Sequence, residues 1–111
     1  MDLSLEGRVF DLVSSTASRV DPEAPTRFRY SESAGVIWGD YTGDTVAEGR
    51  FVGTRDGDRV TVSFVHALAQ GGSRVSGTAA SRIEVGEAGL RLVEEFEADG
   101  QPQISVCAEV R

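Results

Sequence analysis

Asp56-Gly57-Asp58-Arg59-Val60-Thr61-Val62-Ser63-Phe64-Val65-His66-Ala67-Leu68-Ala69 decides the fold. Asp-Gly is a tight-hairpin dipeptide, because glycine adopts the positive φ that a two-residue turn requires. After it, Val60, Val62, Phe64, His66 and Leu68 fall on every second position. Side chains two apart share a strand face, so this segment is a strand leaving a hairpin with one apolar face.

The same unit repeats outward in both directions. Gly35, Gly43, Gly71-Gly72, Gly86, Gly89 and Asp99-Gly100 close further segments at intervals of roughly ten residues, the spacing of an antiparallel meander. Strands are expected over 7–13, 27–33, 36–42, 45–54, 59–69, 74–85, 90–98 and 103–110. Residues 14–25 carry Ser14, Ser15, Ser18, Asp21, Pro22 and Pro25. They read as a loop, or one short helical turn, across one mouth, since the two prolines oppose a regular helix.

Eight antiparallel strands in an open sheet would expose two edges, and closure removes them. The interior of such a barrel is just wide enough to be filled by side chains or to hold one small ligand. The chain is therefore expected to be all-β, an eight-stranded up-and-down barrel forming a single domain over 1–111, with a two-layer β-sandwich as the alternative. The pattern leaves the registers of the first, fourth and seventh strands open. On the seventh, Leu90, Leu92, Glu94 and Phe96 share one face; the reverse register would turn Glu95 and Glu97 inward.

Composition removes several function classes. The net charge is −7 and the sequence pI about 4.6, and no basic patch for nucleic acid is present. The cations are 11 arginines scattered singly, with no lysine. One cysteine forms no internal disulfide. No apolar stretch approaches the ~20 residues of a membrane-spanning helix. Met1-Asp2-Leu3-Ser4-Leu5-Glu6 is too short and acidic for a signal peptide, so a cytoplasmic protein is expected.

A few residues carry chemistry. His66, the one histidine, points inward beside Phe64; either it serves a ligand or a proton transfer, or it is a satisfied core histidine. A single histidine excludes three-histidine zinc, and no metal or cofactor is expected. Glu94 on an inward face needs a partner or water. Trp38 and Asp40 share one face of the third strand and Tyr41 lies on the other. An aromatic with a polar tip can read a ligand from a barrel wall. The candidate ligand-binding residues are Tyr30, Trp38, Tyr41, Phe64, His66, Glu94 and Phe96, with Phe28, Val62 and Leu92 completing the expected lining. Phe51 is expected in the core, opposite a solvated Glu48/Arg50 pair. Cys107 shares a face with Ser105 and Glu109, against Ile104, Val106, Ala108 and Val110, and has no acid–base neighbour that would activate a thiol. Asp56-Gly57-Asp58 lacks the later glycine and glutamate of a calcium loop. Gly71-Gly72-Ser73 lacks the lysine and helix of a phosphate loop.

Gly7-Arg8-Val9-Phe10, Val36 to Gly43, Gly49, Phe64-Val65-His66, Gly77, Ser81 and Leu92 to Phe96 together resemble a family of small bacterial proteins often labelled N-acetylglutamate synthase. Trp38, Tyr41 and Gly43 match its Trp-x-x-Tyr-x-Gly signature, Phe64 and His66 its aromatic-x-His step, Glu94 and Phe96 its Glu-x-aromatic step; Ala98 departs from its more aromatic seventh strand. The resemblance implies a lipocalin- or avidin-like barrel. Acetyl transfer would need a pyrophosphate loop at a helix N-terminus. The nearest match, Gln70-Gly71-Gly72-Ser73-Arg74, has the wrong spacing and lies between strands.

Three functions fit such a barrel. A small-molecule binder, for a hydrophobic or mixed-polarity ligand, needs a void beside His66. An interaction module forming a homodimer needs a filled interior and an apolar outer patch, for which Val65, Ala67 and Val93 are suggestive. A barrel enzyme needs His66 as base and Glu94 as acid or orienting group within hydrogen-bond reach.

Overall fold

A computed structural model describes residues 3–16, 20, 22–98 and 100–110. Of the positions singled out above, Met1, Asp2, Ser18, Asp21, Asp99 and the side chain of Ala98 lie outside the described residues. Eight strands follow in order: β1 (Val9–Ser15), β2 (Arg27–Ser33), β3 (Val36–Gly43), β4 (Val46–Asp56), β5 (Arg59–Leu68), β6 (Arg74–Gly86), β7 (Gly89–Ala98) and β8 (Gln101–Glu109). Each pairs antiparallel with the next, and β1 pairs with β8, so the sheet closes into a barrel. No described residue is helical. Gly57, with φ 62°, makes the β4–β5 turn that Asp56-Gly57 announces.

Strand β1 lies two residues later than expected. Gly7 sits in a turn at φ 73°, and its N–H donates to the Tyr30 carbonyl at 3.1 Å, so the regular ladder starts only at Val9. Between Leu12 and Ser14 the β1–β8 register slips at a bulge. The extra residue shifts the alternation, so Leu12 and Ser15 both face the interior cavity.

One end of the barrel is solid. Phe10, Ile37, Val60, Ile83, Leu90 and Leu92 are each no more than 4% exposed. The chain ahead of β1 folds under this end, and Leu5, fully buried, plugs it. The Leu5 N–H donates to Glu32 Oε1 at 2.9 Å, and Glu32 in turn accepts from Arg55 Nε at 2.8 Å. Arg8 pairs with Glu109 at 2.7 Å. These pairs hold the inward-facing acids of the closed end, Glu32 and Glu109, against arginines. Ser4 to Gly7 has no strand period, so nothing in its pattern announces the plug.

Two faces differ from the expected arrangement. Trp38, expected to line the cavity, is 44% exposed on the outer wall, level with Val52. The strand period allows only one of Trp38 and Tyr41 inside, and Ile37 and Tyr41 take the inner positions at 0% and 5% exposure. On β8 the apolar set lies outside, with Ile104 47% exposed, while Ser105 and Cys107 are buried at 6% and 5%. Ser105 is held there by its hydroxyl bond to Ser15 at 2.9 Å, and Glu109 by its pair with Arg8. On β7, Glu94 faces inward and Glu95 and Glu97 are turned away from the cavity.

Candidate functional site

Toward the end that carries the β3–β4 turn, the inward side chains become aromatic and polar and no longer fill the barrel. They leave a cavity of about 210 Å³. Of the candidate residues, Tyr30, Tyr41, Phe64, His66, Glu94 and Phe96 line it and Trp38 does not.

The register explains its walls. Tyr41 on β3, Gly49 on β4 and His66 on β5 lie on one row across three strands. Gly49 has no side chain, so the flanking residues meet over it. The Tyr41 hydroxyl and His66 Nδ1 are 2.7 Å apart, and the Tyr41 ring covers the glycine. The next row runs Gly39, Phe51, Phe64, Gly77, with the Phe51 ring over Gly39 and the Phe64 ring over Gly77. Small-against-large alternation of this kind fits bulky rings into the taper of a small barrel. Phe28 stacks on Tyr41 at 4.9 Å between ring centroids, Tyr30 lies 4.6 Å from Phe51, and Phe64 lies nearly parallel to His66 at 6.1 Å.

The barrel, with an aromatic and polar mouth over an aliphatic base, is built from strands between Val9 and Glu109, and the model of the avidin-like protein family matches residues 3–110. The chain belongs to the avidin-like family. No curated protein and no solved structure matched it.

Within this avidin-like barrel, the polar groups of the cavity are set by burial. His66 is lowered from its ordinary pKa by burial, so its imidazole is neutral at physiological pH. Burial raises the Tyr41 hydroxyl, with the charge of Glu94 adding to the effect, and raises Tyr30 for the same first reason. With the proton on His66 Nε2, Tyr41 donates to Nδ1 and the Nε2–H is left as a donor. Cys107 is likewise driven up by burial, so its thiol stays protonated and unreactive.

Glu94 stands between Ser81 and Ser105 of the neighbouring strands. It borders the cavity and, with its carboxylate reachable by solvent from the void, makes no hydrogen bond or ion pair. Burial pushes its carboxyl up to about 7, which places its titration at neutral pH. His66 and Glu94 share the cavity, but the hydrogen-bond partner of His66 is Tyr41. Among the described residues no three His, Cys, Asp or Glu side chains gather as a metal site.

Sequence alternation brought Tyr30, Phe64, His66, Glu94 and Phe96 to the wall and missed Ser105, Cys107 and the turn residues Asp44 and Thr45. The one signal for the Tyr41–His66 pair was the inward Gly49, which shows only once the register is known.

Proposed function

We propose that this avidin-like protein binds a small molecule of mixed polarity in the open half of its barrel. One observation carries the reading: a void of about 210 Å³ on which Tyr41, His66 and Glu94 converge between aromatic rings. An apolar wall with a few oriented polar groups is the ordinary build of a small-molecule site. The rings supply apolar area, and the polar groups set orientation, because a ligand that fails to pair them leaves them desolvated at a cost of about 1–3 kcal/mol each. The volume equals about seven waters at ~30 Å³ each, below the ~300–1,000 Å³ of drug-sized sites, so the ligand is compact. Membership of the avidin-like family, barrels associated with small ligands, supports the reading.

Native mass spectrometry with a panel of fragment-sized aryl amines, alcohols and amides tests it. The wild type is expected to retain at least one compound at one-to-one stoichiometry. His66→Ala should weaken that complex at least tenfold, or about 1.4 kcal/mol. Retention of no compound by the wild type would sink the proposal, and unaltered retention by His66→Ala would remove His66 from the site.

A further inference from the structure

We propose that the ligand is a small organic cation, a protonated primary amine on a short aryl or alkyl body, whose ammonium group sits against Glu94. This rests on the cavity being a ligand site and adds the charge of what enters it.

The chain treats its inward acids in two ways. At the closed end Glu32 is paired with Arg55 and Glu109 with Arg8. Among the described acids that face inward along the strands, Glu94 is left without hydrogen bond or ion pair, half-buried on the wall of the void. A carboxylate partly withdrawn from water is costly until a cation or donor meets it. Among the described residues no arginine lines the cavity. The titratable groups that face Glu94 across the cavity are Tyr30 of β2, Tyr41 of β3, His66 of β5 and Cys107 of β8, all neutral at physiological pH, and the further acid Asp44 stands at the mouth. Among the described lining residues an anionic ligand would meet two acids and no arginine. A cation would meet Glu94 in a cavity lined by the rings of Phe28, Tyr41, Phe51 and Phe64, and aromatic rings attract cations through their quadrupoles. The net charge of −7 favours the approach of cations in the same sense.

Calorimetry with two isosteric probes, benzylammonium and benzyl alcohol, tests the assignment on wild type and Glu94→Gln at pH 8 and pH 5. At pH 8 the wild type should bind the ammonium at least tenfold more tightly than the alcohol. The preference should vanish in Glu94→Gln, and it should vanish in the wild type at pH 5, where the carboxyl is protonated. Equal or weaker binding of the ammonium by the wild type at pH 8 would overturn the proposal, as would a preference that survives in Glu94→Gln. If the alcohol binds and the ammonium does not, the cavity remains a ligand site and only the cation is wrong. If the wild type binds neither probe, the cation assignment fails together with this reading of the cavity.

Discussion

Glu94→Gln should make the protein more stable by about 3 kcal/mol at pH 8 and almost unchanged at pH 4. The folded protein holds the Glu94 carboxyl up at about 7, against an ordinary value of 4.5, because burial disfavours its charge. A group with a raised folded pKa binds its proton more tightly when folded than when unfolded. Its contribution is therefore fully present below pH 4.5, is lost as the pH climbs toward 7, and loses nothing further above that. The substituted amide carries no charge at any pH, so the variant escapes the loss while keeping the shape of the cavity wall. The two proteins should unfold together in acid and separate by about 10 °C in Tm at pH 8. Glu32 titrates in the opposite sense, since its bond from Arg55 holds it low, but it is common to both proteins and cancels in the difference. Thermal unfolding of the pair from pH 4 to pH 8 measures the effect. A constant difference across that range would mean that Glu94 is solvated rather than enclosed.

Gly39→Ala and Gly53→Ala should each cost at least about 3 kcal/mol, at or beyond the upper end of ordinary overpacking. A Cβ at Gly39 would collide with the Arg29 carbonyl oxygen and with the Phe51 ring, and one at Gly53 with the Thr61 carbonyl oxygen. Both carbonyls belong to strands of a closed barrel, so they cannot withdraw without disturbing the ladder. Gly77 is the contrast: a Cβ there would stop 3.0 Å from the tip of the Phe64 ring, which can swing into the void. Gly77→Ala should cost about 1 kcal/mol or less. Urea unfolding of the three variants decides it, and equal stabilities for all three would show that the glycines do not carry the close approach of strands and rings.

The architecture was legible wherever alternation and turn chemistry agreed. Val60 to Leu68 after Asp56-Gly57 reads as a strand from any starting point, and eight such units imply closure. The inward positions of Phe28, Tyr30 and His66 follow from the same period, whereas Phe51 and Glu94 lie on strands whose register the period left open. Legibility failed where another force chose the face. On β8 hydroxyl and ion-pair partners outweighed the apolar set, so Ser105 and Cys107 went inside. On β3 Tyr41 and Ile37 took the interior and left Trp38 in solvent. Leu5 plugs one end from a segment without any period, held by hydrogen bonds to β2. The pair of Tyr41 and His66 spans 25 positions and an intervening strand, so it exists only in the register and could not be read along the chain.

Whether the open half of the barrel is a ligand cavity is decided by a crystal of the wild-type protein soaked in a cocktail of fragment-sized amines and alcohols. Density for one compound is expected inside the barrel, its polar atoms within hydrogen-bond distance of Glu94 or of the Tyr41–His66 pair. A void closed by collapsed side chains, with density only on the outer wall around Trp38 and Val52, would contradict it.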